Sequence, residues 1–144
     1  MKQEMHNKKN FYAVIDTNVI VSALLSIPKE TNPAVVLMEL LKGRIIPLYN
    51  DEILSEYREV LLRDKFPFKE SDVNSLLNYI SLFGIDSERI SLDKSLFPDP
   101  KDIVFYEVAL SKDEAYLVTG NVKHFPNSPK VVTPAEMVAL LKTS

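Results

Sequence analysis

Short apolar runs alternate with longer helical stretches along almost the whole chain, and this alternation limits the fold more than any other feature. FYAVI (11–15), RIIPLY (44–49), AYLVTG (115–120) and KVVT (130–133) are rich in β-branched and aromatic residues. Short runs of that kind read as strands covered on both faces. Between them lie segments with helical spacing and punctuation. TNVIVSALLS (17–26) reads as a buried helix closed by Pro28. Thr31 or Asn32 caps a helix with Pro33 at its first position, which runs to Gly43. Asn50 caps a helix over 51–66, with Asp51 and Glu52 at its positive end and Ile53, Leu54, Tyr57, Val60 and Leu61 as its apolar stripe. A further helix (70–83) stops at Gly84, and PAEMVALLK (134–142) closes the chain with Thr133 as cap. From Ile103 to Leu110 every residue except Glu107 is apolar, the mark of a buried helix. Residues 85–95 are weakly patterned and predict at most a short strand near 89–92. The alternation predicts an α/β fold: a Rossmann-like, three-layer α/β/α sandwich around a central parallel sheet with right-handed crossovers.

At 144 residues the chain is the size of one domain, which can bury roughly 68–70% of its unfolded surface without a disulfide or structural metal. It has no cysteine, which excludes thiolate zinc sites, cysteine nucleophiles and a disulfide scaffold and fits a reducing cytoplasm, the compartment expected. The polar stretch 1–10 reads as a flexible leader. No apolar core of a signal peptide follows it, because Asp16 interrupts the run 11–15. No apolar stretch reaches membrane-spanning length. Seventeen basic and twenty acidic side chains give a net charge of −3, unlike the basic footprint of a strong non-specific nucleic-acid binder.

In open parallel sheets ligands bind beyond the carboxyl ends of the strands, so polar residues where a buried strand stops are the first candidates. Asp16 ends the first strand directly after five apolar residues, where a carboxylate needs a cation or several donors. It also stands where a cap for the helix starting at Thr17 belongs. Glu56 lies on the border of its helix's apolar stripe, three residues after Ile53, and could equally pair with Arg63 or Lys65. Asp99 and Asp102 flank Pro100, with Asp99 as a helix cap and Asp102 either reaching back in a capping box or facing the core. Thr119 and Asn121 form the turn after the AYLV strand, and His124 follows in the same loop. If Asp16, Glu56 and Asp102 converge, each pair repels by about 4 kcal/mol at 4 Å and an effective dielectric near 20. Hard divalent ions with oxygen ligands, Mg²⁺ or Mn²⁺, answer such a cluster, and metal-assisted phosphodiester hydrolysis is the chemistry it implies.

Four strings in order, VIDTNVIVSALL, NDEILSEYREVL, DPKDIVFYEVAL and AYLVTGNVKHF, resemble the PIN domain family, in particular small prokaryotic members assigned as toxins of toxin–antitoxin pairs. The resemblance covers residues 11–144 and implies a single PIN domain there. It implies a parallel sheet between helices and cleavage of single-stranded RNA, or of single strands in structured RNA, with Mg²⁺ or Mn²⁺. It also implies an antitoxin partner and self-association. Carried over by position, Asp16, Glu56 and Asp102 are the catalytic and metal-binding acids. The family's fourth acidic position is here Asn121, a neutral amide that brings less charge to a second metal. Thr17 and Asn18 match the turn after the first acid. With Asp99, Thr119, Asn121 and His124 they are expected to support the ligands or touch substrate.

Two other enzyme classes fit poorly. A haloacid dehalogenase-like phosphatase needs a second Asp where Asn18 stands, and a dinucleotide-binding domain needs a G-x-G-x-x-G that a chain with three glycines lacks. The remaining rival is a PIN fold that binds RNA or protein without cutting, weakened at Asn121.

Overall fold

A computed structural model of the chain describes residues 9–92, 95 and 97–143. Of the leader expected at 1–10, all but Lys9 and Asn10 lies outside the described residues. The chain order is β1 (Phe11–Ile15), α1 (Thr17–Ser26), α2 (Asn32–Leu41), β2 (Ile45–Tyr49), α3 (Asp51–Leu61), α4 (Glu70–Phe83) and β3 (Ile85–Asp86). A 3-10 turn (Pro100–Asp102) then leads into α5 (Ile103–Ala109), followed by β4 (Tyr116–Val118), a second 3-10 turn (Val122–His124), β5 (Val131–Val132) and α6 (Pro134–Lys142). All strand pairings are parallel, in the order β3-β2-β1-β4-β5, and helices cover the sheet to give the expected α/β/α sandwich. Among the described residues no helix is long and apolar enough to cross a membrane.

Helix starts follow the local chemistry. The Thr31 hydroxyl accepts from the Ala34 amide at 3.3 Å, so Thr31 is the cap of α2, and Pro33 falls one position inside the helix. Asn50 Oδ1 accepts from the Ile53 amide at 2.9 Å to start α3. Thr133 and Glu136 form a reciprocal capping box at α6. Gly43 adopts φ 86°, the left-handed conformation that lets the chain leave α2 for β2 at little steric cost.

Two expectations need correction. α3 ends at Leu61 rather than running to Phe66: from Leu62 onward the chain tightens into turns, with the Arg63 amide bonded to the Val60 carbonyl and the Phe66 amide to the Arg63 carbonyl. The third strand lies at Ile85–Asp86, not at 89–92. Gly84 ends α4 so close to the sheet that a Cβ there would fall against the carbonyl oxygens of Ile80 and Pro47, and the next residues lie directly beside β2, pairing with Leu48 and Tyr49. Residues 89–92 instead lie along α5, with the Ile90 amide 3.4 Å from the Glu107 carbonyl oxygen.

The core centres on β1, with Ala13, Val14 and Ile15 almost inaccessible, and on α5, whose seven residues are all buried. α5 packs on β1, β2 and β4 and against α3, while α2 packs against α1 and α6. β1 is the point at which the sheet changes direction: the chain moves outward to β2 and β3, then returns to the other side with β4 and β5. Such a reversal opens a crevice at the carboxyl ends of the two strands that flank it. Here those strands are β1 and β4, and the residues that follow them are Asp16 and Thr119.

Candidate active site

Asp16 caps α1 by position only. Its backbone is extended, and its carboxylate, although near the Thr17 and Asn18 amides, makes no well-formed capping hydrogen bond to them. Instead Oδ2 accepts from the Thr119 hydroxyl at 2.7 Å, across the β1–β4 crevice. The parallel register that pairs Ile15 with Val118 makes Asp16 and Thr119 the next residues on their strands. Thr119 is fully buried, and its oxygen also accepts from the Asn121 amide at 2.9 Å, which fixes the start of the following loop. Asp16 is only 5% exposed. Burial pushes its pKa above the usual carboxylate value, opposed by the Thr119 hydrogen bond, the amides of Thr17 and Asn18, and His124.

Asp102 comes to the same place by another route. Asp99 Oδ1 accepts from the Lys101 amide at 3.0 Å and nucleates the 3-10 turn, as its capping position predicts. Asp102 does not reach back to complete a box: its carboxylate makes no capping bond. Its Oδ2 lies 3.3 Å from His124 Nδ1, near enough for the imidazole to pull its pKa down but making no well-formed hydrogen bond, so this buried oxygen is left without a satisfying partner. The Asp102 pKa is pushed up to about 6 by desolvation first, then by the charges of Asp16 and Asp99, with His124 pulling the other way. Asp16 and Asp102 therefore feel each other as like charges.

An aromatic cluster holds both arms of this arrangement. Phe97, just before the Asp99–Asp102 turn, packs edge-on against Tyr106 and Phe125, and Phe125 stacks on Tyr106. Phe125 is 6% exposed and directly follows His124. Its burial places an otherwise exposed loop histidine against Asp102. The packing signal for His124 is thus present one residue on, in the aromatic Phe125.

Glu56 is half-buried on α3 and lines a shallow, open hollow with Asp51, Glu52, Ser55 and Glu59. Its helix is tied to the site by Tyr57, whose hydroxyl donates to the Ile15 carbonyl oxygen, the last acceptor before Asp16. Burial, and then the Asp16 charge, raise the Tyr57 pKa well above that of an ordinary phenol. Tyr57 is a contributor that the apolar-stripe reading missed. Arg63, weighed as a partner for Glu56, makes its ion pair with Glu59 at 2.7 Å. Among the described residues no three Asp, Glu, His or Cys side chains stand together as a ready metal-binding group. Asn18, Asp99, Asn121 and His124 are exposed at the crevice rim, whereas Thr17 is buried with a hydroxyl oxygen that finds no hydrogen-bond partner.

The donor set fits a hard cation. Asp16 and Asp102 supply carboxylate oxygens, and the buried Asp102 Oδ2 lacks a hydrogen-bond partner within reach of the Asp16 charge; Thr17 Oγ1, next to Asp16 in the chain, is likewise unpartnered. Native proteins rarely leave such atoms unsatisfied, so a cation or ordered water there is the economical answer.

No curated protein and no solved structure gives a significant match to the chain. The model of one family, described as the PIN domain, matches residues 12–123, a span that opens inside β1 and closes in the turn before His124. It thus takes in both strands of the crevice together with Asp16, Glu56, Asp102 and Thr119, and on that match the chain belongs to the PIN domain family.

Proposed function

We propose that this protein is an endoribonuclease that cleaves single-stranded RNA phosphodiesters with Mg²⁺ or Mn²⁺ held by Asp16 and Asp102, Glu56 joining from α3. PIN domains are generally nucleases and usually use divalent metals. The observation that carries the reading is the pair of like-charged, partly desolvated carboxylates at the sheet's reversal point, one with an unpartnered buried oxygen. A divalent ion, when bound there, supplies the Lewis-acid charge that phosphodiester hydrolysis requires. The protein's part is to hold the acids and orient the phosphate. Thr119 fixes the Asp16 carboxylate, Tyr57 fixes the strand end that carries it, and His124 stands over Asp102 with its other ring nitrogen free to meet an RNA oxygen. Exposed Lys101 and Lys123 flank the acids and would attract the RNA backbone. We further propose a cytoplasmic toxin role with an antitoxin partner and self-association, supported by the family resemblance and by the exposed apolar Ile27, just after α1, and Met38 and Leu41 on α2.

The test is cleavage of end-labelled structured RNA by EDTA-stripped protein with no metal, Mg²⁺ or Mn²⁺, run beside Asp16→Asn and Asp102→Asn. Metal-dependent cutting should fall by at least about a hundredfold in each variant, as expected when a transition-state charge stabiliser is lost. Binding without cutting, for all RNAs tried, would favour the second reading, a PIN-fold binding module. That reading draws on the neutral Asn121 and on the acids not forming a ready group of three.

A further inference from the structure

Glu107 is the one charged residue within α5, and it is 3% exposed. The site does not use it. Its Oε1 accepts from Arg89 Nε at 2.6 Å, and its Oε2 accepts from the Leu92 amide at 2.7 Å. The same guanidinium also donates, through a different nitrogen, to Glu52 in the first turn of α3. Glu52 and Glu56 lie four residues apart on α3 and so share a face, while Asp102 directly precedes the α5 helix that contains Glu107. One planar guanidinium therefore joins α3, which carries Glu56, to α5, which Asp102 directly precedes. Elsewhere the helices meet through apolar packing such as Tyr57 against Phe105, whose ring centroids are 6.3 Å apart. Packing of that kind tolerates sliding better than a three-point hydrogen-bonded fork.

We infer that Arg89 is a positioning residue: by bridging Glu52 and Glu107 it sets the spacing of α3 and α5, and with it the separation of the Glu56 and Asp102 carboxylates. The inference rests on the proposed nuclease site for its consequence, but the bridge itself is a property of the metal-free protein. It explains why a carboxylate is kept inside the most buried helix, and why the loop after β3 lies along α5 instead of extending the sheet. The substitution that separates this role from simple structural support is Arg89→Lys, which keeps the charge beside Glu107 but lacks the fork needed to reach Glu52 as well. Glu52→Ala removes the other end of the bridge at an exposed position. Asp51→Ala, which removes a first-turn acid outside the bridge, is the control.

The native chain has no cysteine, so Ser55→Cys and Lys101→Cys, both at exposed positions, would carry the only spin labels. Pulsed EPR on metal-free labelled protein reads the separation of α3 from the turn that opens α5, and Mn²⁺ titration of unlabelled protein reads the site. With the bridge intact, in wild type and in Asp51→Ala, the distance distribution should be narrow. It should broaden or shift in both Arg89→Lys and Glu52→Ala, with Mn²⁺ affinity weakened about tenfold in each, the low end of the effect of supporting residues on metal sites. Wild-type distances in both variants overturn the bridge. Altered distances with unchanged Mn²⁺ affinity overturn its positioning role. A wild type that binds no Mn²⁺ removes the metal-site reading and the positioning role with it, while the distances still decide whether Arg89 spaces the helices.

Discussion

Asp102 is held in a state that suits a ligand more than a structural acid. Its carboxylate is partly desolvated, near Asp16 and Asp99, and one of its oxygens has no hydrogen-bond partner. A carboxyl whose folded-state pKa is raised binds its proton more tightly in the folded chain than in the unfolded one. Its contribution therefore favours folding most below the unfolded value of 3.8 and fades as pH climbs through about 6. Stability of the metal-free wild type relative to Asp102→Asn should accordingly fall between pH 4.5 and 7.5, as read from paired urea titrations. A flat difference would show that the carboxyl is not desolvated. Protons and a cation compete for the same oxygens, so Mn²⁺ affinity should weaken as pH falls below about 6. Much of this was legible in the residues. Asp16 and Thr119 announce themselves by ending apolar runs, and Asp102 by preceding the most apolar helix. The Glu107–Arg89–Glu52 bridge was not, because its members lie 18 and 37 residues apart and Arg89 sits in the least patterned part of the chain.

Local rules governed the elements wherever the chain punctuates itself, and failed where a distant neighbour decides. Asn50 and Thr133 cap the helices they were expected to cap, and of the two candidates for α2, Thr31 and Asn32, Thr31 is the cap, since each needs only an amide three residues on. The third strand was misplaced because its position depends on how α4 docks. Gly84 lies so close to β2 that a Cβ there would fall 2.5 Å from both the Ile80 and the Pro47 carbonyl oxygens. Both are backbone atoms that cannot swing away. Gly84→Ala is expected to destabilise by about 1–3 kcal/mol, the usual cost of overpacking, by forcing α4 and β3 off the sheet edge. Thermal denaturation checks it, with Gly120→Ala as the comparison, since a Cβ at Gly120 meets nothing within 4 Å. Equal melting temperatures for the two variants would mean that the edge adjusts freely and that Gly84 does not place β3.

At the scale of the whole molecule, the order β3-β2-β1-β4-β5 makes one crevice the meeting point of the chain's two halves. β1 and the Asp16 that follows it come from the start of the sequence, Thr119 from a point 103 residues later, and the hydrogen bond between them closes the crevice. The acids that gather there repel one another, a repulsion the proposed cation would relieve, and they gather only in the folded chain. A ligand confined to the folded state stabilises it by RT ln(1 + [L]/Kd), about 2.7 kcal/mol at a hundred times Kd. For a domain of this size, at roughly 3 °C per kcal/mol, that is an upward shift of about 8 °C in Tm. Wild type should show this with Mn²⁺ or Mg²⁺ in the absence of RNA, and the Asp16→Asn/Asp102→Asn pair should not. Removing the repulsion should also leave the metal-free double variant at least as stable as the metal-free wild type, since replacing like charges by amides relieves a desolvation and repulsion that Thr119 and His124 only partly offset. A double variant that melts well below wild type without metal would mean that the carboxylates are held mainly by their protein partners, Thr119 and His124, and that the crevice is a structural joint.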